Sequence, residues 1–177
     1  MKEAKYLTKR QTDILRVIGS DKFFSKRFYL SGGTALAGFY LQHRYSEDLD
    51  FFCEEEFDFM YINIFLKKLK THFKIKKIDL EQSYNRNLVF LHFQDEIIKM
   101  EFTYYPFKRI EKGVKKYGVE IDSIYDIAVN KLFSIYQRCK ARDYIDLFFL
   151  YKKMDYKISD LVKDAKIKFD RHIDPIQ

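Results

Sequence analysis

The chain has 177 residues, 47% of them hydrophobic, with 33 Lys and Arg against 26 Asp and Glu for a formal charge of +7. Such a length and apolar content suit one ordered globular domain, and the basic balance favours an anionic partner such as a nucleotide or nucleic acid, although a merely solvated basic surface would give the same count. Two distant cysteines, Cys53 and Cys139, argue against a disulfide framework or zinc knuckle, and the lack of a secretory or membrane-spanning apolar run points to a cytoplasmic protein with reduced thiols.

Residues Thr8 to Ser20 place Ile14, Leu15, Val17 and Ile18 on a short amphipathic helix, with Thr8 or Thr12 as its cap. Phe28 to Leu30 is extended and ends at Ser31-Gly32-Gly33, after which Thr34 to Gln42 returns to helical spacing through Leu36, Phe39 and Tyr40. A second strand is expected at Asp48 to Phe52, then a helix over Phe57 to Phe73 in which Tyr61, Phe65, Leu69 and Phe73 recur every four residues. Lys74 to Leu80, Asn87 to Phe93 and Ile97 to Tyr104 have strand character, the last two forming a hairpin around Gln94-Asp95-Glu96. Helices follow from Ser123 to about Cys139, from about Arg142 to Lys153, and from Ser159 to about Lys168. The pattern predicts an α+β fold: a small mixed sheet flanked by helices, with residues 1–120 as the sheet core and 121–177 as a helical C-terminal third of the same single domain.

The sharpest chemical signal is Arg44-Tyr45-Ser46-Glu47-Asp48-Leu49-Asp50-Phe51-Phe52. On a strand, Asp48 and Asp50 share one face while Leu49 and Phe51 take the other. Two carboxylates so placed repel unless a hard cation such as Mg²⁺ neutralises them; a solvent-facing pair at a strand end is the plainer reading. Upstream, Ser31-Gly32-Gly33-Thr34 closes a strand and opens a helix, where backbone N–H groups can meet phosphate, although a glycine turn alone is commonplace. In Ile98-Lys99-Met100-Glu101-Phe102-Thr103, alternation puts Lys99, Glu101 and Thr103 together on one face. Lys131, Ser134 and Arg138 fall on one helix face, and Asp143 and Asp146 are spaced to orient Lys131 or a neighbouring Arg, or to cap the following helix. Arg44 reads as an anion partner or a carboxylate partner near Asp48. His43 has no companion at ligand spacing, which argues against zinc.

Gly32-Gly33-Thr34-Ala35-Leu36, His43 to Phe52, and Lys131-Leu132-Phe133-Ser134 through Arg138 to Leu147 resemble, in order, the motifs of AbiEii-type nucleotidyltransferase toxins, a family similar to the DNA polymerase β-like nucleotidyltransferases. The resemblance implies a nucleotidyltransferase fold and transfer of a nucleoside monophosphate from an NTP to an acceptor hydroxyl, RNA or tRNA. It implies that Asp48 and Asp50 ligate Mg²⁺, with Mn²⁺ as the alternative ion, and that Glu101 is a third carboxylate, acting as metal ligand or general base. The family usually has Asp at that position, so Glu101 is a departure. Gly32, Gly33, Thr34, Arg44, Ser46, Lys131, Arg138, Arg142, Asp143 and Asp146 are then assigned to the nucleotide pocket. A separate antitoxin protein is implied as well. A small-molecule nucleotidyltransferase of the antibiotic-modifying kind and a non-catalytic nucleotide- or RNA-binding module are the rival readings.

Overall fold

The computed structural model describes residues 6–138 and 140–173, so Cys139 lies outside the described residues. Helix α1 (Lys9–Ser20) begins at Thr8, whose side chain accepts from the Gln11 N–H while the Gln11 side chain accepts from the Thr8 N–H, a reciprocal cap. Its Ile14, Leu15 and Ile18 are fully buried. A short helix α2 (Lys22–Arg27), capped by Asp21, precedes strand β1 (Tyr29–Ser31).

The helix expected after the glycine turn is present in two parts: an α-helical turn α3 (Gly32–Ala35) runs into a π-helical segment over Leu36–Leu41. Strand β2 (Leu49–Cys53) follows, and then helix α4 (Phe59–Phe73), capped by Asp58. Within α4 the buried side chains are Ile62, Phe65, Leu66 and Leu69, whereas Tyr61 is turned outward and stacks on Phe23 at 4.3 Å. The apolar stripe is therefore rotated by one residue from the four-residue recurrence of aromatics at its N-terminal end.

Strands β3 (Lys77–Ser83), β4 (Arg86–His92) and β5 (Ile97–Tyr104) form an antiparallel meander. The β4–β5 hairpin is where the alternation put it, while β3 starts and ends three residues later than Lys74 to Leu80. Two three-residue strands, β6 (Val114–Lys116) and β7 (Val119–Ile121), had no such signal. The sheet has seven strands in the order β3-β4-β5-β2-β1-β7-β6, and it is mixed: β2 lies parallel to β5 and β1 parallel to β7. Helices α5 (Ile124–Gln137), α6 (Ala141–Met154) and α7 (Ile158–Phe169) make the C-terminal third, with Ser123 capping α5.

Alternation along the central strands fixes which face is core. Leu49, Phe51, Ile98, Met100 and Phe102 are buried with Phe24, Phe28 and Phe65 from α2, its C-terminus and α4. The opposite face of β2 and β5 carries Asp50, Lys99, Glu101 and Thr103, and this polar face is turned to the site. No described helix is long and apolar enough to cross a membrane.

Candidate active site

Register brings the carboxylates together. In the parallel β2–β5 ladder Asp50 is the partner of Glu101, and in the antiparallel β1–β2 ladder Ser31 is the partner of Asp50. Asp48 sits one residue before β2. Three acids that are 53 or fewer positions apart in the chain thus occupy one edge of adjacent strands, and each is met differently.

Asp48 takes the Lys99 ammonium at 2.9 Å. Glu101 is gripped through both oxygens by Arg86, at 2.7 and 2.6 Å, and accepts a 2.6 Å hydrogen bond from Thr103. Burial alone would push the Glu101 carboxyl up, but these bonds outweigh it and hold it below its ordinary value. Asp50 lies between them, and burial, then the charges of Glu101 and Asp48, raise it to about 6 against the opposing pull of Lys99 and Lys131.

The glycine turn lies against this row. Gly32 has φ of 73°, and a Cβ there would come within 2.6 Å of Asp50 Oδ2. A Cβ on Gly33 would meet Arg44 Nη2 at 2.6 Å and Ser46 Oγ at 3.1 Å. Glycine is required at Gly32 on both counts, its left-handed backbone and the carboxylate beside it. The Thr34 hydroxyl donates to the backbone carbonyl of Asp48, which ties the start of the helix to the start of the acidic strand.

A second cluster closes the site from α5 and α6. Asp146 is fully buried and accepts from Arg44 Nε at 2.7 Å, from Arg44 Nη2 at 2.8 Å and from His43 Nε2 at 2.7 Å, with Lys131 Nζ at 2.8 Å. Burial pushes the Asp146 carboxyl up, but these cations and donors dominate and hold it down at about 2. The same contacts raise Arg44, while burial outweighs Asp146 at His43 and lowers that imidazole, keeping it neutral near pH 7. Lys131 also reaches Asp143 at 2.6 Å.

Arg44 therefore pairs with Asp146, 102 residues away, and not with an acid near Asp48. Asp143 and Asp146 orient Lys131 and Arg44; they do not cap α6, whose N-cap is Lys140 with no side-chain bond. Ser134 bonds the Asn130 carbonyl on α5. Arg138 lies at the end of that helix, half-exposed and 4.0 Å from Asp143, and Arg142 is exposed. Sequence reasoning passed over Arg86 and His43 as members, and it placed Lys99 on the right face without a role. Alternation could have flagged Lys99, two residues from Glu101; no local signal marked Arg86.

The donor set suits a hard cation in part. Among the described residues no three Asp, Glu, His or Cys side chains are gathered closely enough to hold a metal by themselves. Asp48 and Asp50 supply hard oxygen donors, and the raised Asp50 carboxyl marks a place where added positive charge would be favourable; Mg²⁺ commonly completes such a pair with phosphate and water oxygens. One cavity of about 410 Å³, lined by Glu54, Arg109 and Glu120, contains none of the candidate residues.

The model of one family, described as the nucleotidyl transferase AbiEii toxin of type IV toxin–antitoxin systems, matches residues 13–177. An uncharacterised protein of Aquifex aeolicus is 35% identical over 151 residues, covering 83% of this chain and 68% of that protein. The crystal structure of JHP933 from Helicobacter pylori is similar with a TM-score of 0.64 at 21% identity, covering 92% of this chain and 80% of that one. The Megavirus polyadenylate synthase is similar with a TM-score of 0.53 at 15% identity, covering 86% of this chain and 33% of that one.

Proposed function

We propose, since this chain belongs to the AbiEii nucleotidyltransferase toxin family of type IV toxin–antitoxin systems, that it transfers a nucleoside monophosphate from an NTP to an acceptor hydroxyl on RNA, with tRNA the favoured class. The observation that carries this reading is the pairing of Asp50 with Glu101 across β2 and β5, against a Gly32 that admits no side chain. It is the arrangement needed to bring triphosphate against carboxylates.

In the reaction the acceptor oxygen bonds to the α-phosphorus, the bond to the bridging oxygen breaks, and pyrophosphate leaves. Asp48 and Asp50 would hold Mg²⁺, or Mn²⁺, which when bound offsets phosphate charge and orients the groups. Gly32 and Gly33 let backbone N–H groups approach the terminal phosphates, and Thr34 fixes that turn to Asp48. Lys131 is held by Asp143 and Asp146 at the mouth of the site, where its charge meets phosphate. Arg44 and Ser46 line the turn, with Arg138 and Arg142 beyond them. Glu101, the third carboxylate, has both oxygens taken by Arg86, which keeps it ionised, so its role is proton acceptor and not metal ligand.

The basic charge supports RNA as acceptor, and the family implies a separate antitoxin. We place the protein in the cytoplasm. Incubation with α-labelled NTPs, Mg²⁺ and total RNA should label RNA with the native chain and not with Asp50→Ala. A native chain that labels nothing with any of the four nucleotides would defeat the enzyme reading. Labelling of small hydroxyl compounds instead of RNA, insensitive to salt, would favour the antibiotic-modifying alternative.

A further inference from the structure

The inward face of α6 serves the site, through Asp143 and Asp146, and its outward face has a composition of its own. Tyr144, Phe148 and Tyr151 are exposed by 48%, 59% and 58%, and their spacing of four and three places them on one side of the helix. Ile145 borders them, also half-exposed. Phe148 and Tyr151, rings this large and this exposed, call for an occupant.

The charges on α6 indicate which kind. Both of its carboxylates, Asp143 and Asp146, are buried against Lys131 and Arg44, so every exposed charged side chain within α6, namely Arg142, Lys152 and Lys153, is cationic. Arg138 and Lys140 add exposed positive charge just before the helix. Asp155, exposed at the C-cap, is the one acid beside them, so the balance around the rings stays cationic, and flat rings so flanked match the chemistry of an anionic ligand with planar groups. An apolar protein partner would need neither the cationic excess nor the aromatic choice.

The stripe is joined to the site. Phe148 touches Phe149 edge to face, and Phe149 packs at 5.1 Å on His43, which holds Asp146. From Tyr144 the stripe runs about 10 Å along the helix, room for two or three stacked bases. We infer that the outward face of α6 is a stacking platform for the single-stranded segment of the RNA acceptor adjoining its reactive end, with Phe148 and Tyr151 as the principal rings. The inference rests on the RNA-acceptor reading above and names the surface that reading lacks.

The test uses the full chain and a fluorescein-labelled oligo(A) ribonucleotide, with anisotropy as the readout. The paired substitution Phe148→Ala with Tyr151→Ala should weaken binding at least about tenfold, since each stacked base contributes substantially. The aromatic exchange Phe148→Tyr with Tyr151→Phe should bind within about twofold of native, as ring stacking tolerates either ring. NTP binding by calorimetry should be the same in all three proteins, which shows the site intact. Native-like oligo(A) binding by the alanine pair overturns the platform. So does a native dimer that the alanine pair dissociates while RNA binding persists, because the face then belongs to a second copy. If native protein binds oligo(A), the alanine pair does not, and neither labels RNA, the acceptor reading fails and the face remains an RNA-binding surface. If RNA labelling survives the alanine pair unchanged, the platform fails and the acceptor reading stands.

Discussion

Asp50 and Asp146 are both drawn out of water around the same lysine, yet their carboxyls are driven in opposite directions, to about 6 and to about 2. Asp146 is surrounded by Arg44, His43 and Lys131, so its charge is matched by the fold itself. Asp50 has Glu101 and Asp48 as neighbours, and the pull of Lys99 and Lys131 offsets their charges and its burial only in part. One aspartate is tied into the architecture, and the other is the one we propose for the metal. Their sequence contexts do not reveal this, because both stand in acid-rich motifs.

The comparison breaks most sharply at Asp146. Asp146→Ala leaves Arg44 without its counter-charge, Lys131 with only Asp143 and the buried His43 without its acceptor, and should destabilise the fold by about 3–5 kcal/mol, read by urea unfolding. A loss under about 1 kcal/mol would show that the cluster is wetter than it looks.

Asp50→Asn should act in the reverse sense on stability. It should reduce transfer by at least about 10²-fold, the scale of losing a principal electrostatic group, yet stabilise the chain at pH 8 without divalent ions by about 2 kcal/mol. The sign follows from linkage: an acid raised from 3.8 to about 6 in the folded state contributes stability that is complete below pH 4 and lost as pH rises through about 6. Native protein in chelator should therefore lose melting temperature across pH 4 to 7, and Mg²⁺ should restore it at the upper end. Asp146, depressed to about 2, contributes in the opposite window: its share is present above pH 4 and lost as pH falls toward 2. A melting profile unaffected by Asp50→Asn would remove Asp50 as the strained group.

Smaller effects should sharpen the picture. Lys131→Ala should weaken NTP binding by about 10- to 100-fold in calorimetry, the range for one charged hydrogen bond, with the fold retained. At the bottom of the scale, Arg142→Ala should leave melting within about 0.5 kcal/mol of native and lower the salt slope of RNA binding by about one.

How much of this could be read from the chain differs by the range of the interaction. Leu49 and Phe51 facing away from Asp48 and Asp50, and Ile98, Met100 and Phe102 facing away from Glu101, followed from a period of two and are seen. The reciprocal Thr8 cap and the β4–β5 hairpin are equally local. The π-helical Leu36–Leu41 was not legible, since its residues fit an α-helical period as well. Strands β6 and β7 are three residues each, too short for alternation to register. In the site, the shared face of Lys99, Glu101 and Thr103 was readable from alternation, but Arg86 on Glu101 depends on strand register, and Arg44 on Asp146 on where α6 docks. Neither leaves a trace in the residues nearby.

That last pairing bears on the order in which the protein is made. Arg44 and His43 leave the ribosome about a hundred residues ahead of the acid that fixes them. A nascent chain, or one cut short before Asp146, carries the acidic strand and the glycine turn without the clamp that seats Lys131 and Arg44 beside them. For a protein of a toxin family, the clamp around Lys131 and Arg44 is thereby completed only once Asp146 has been made.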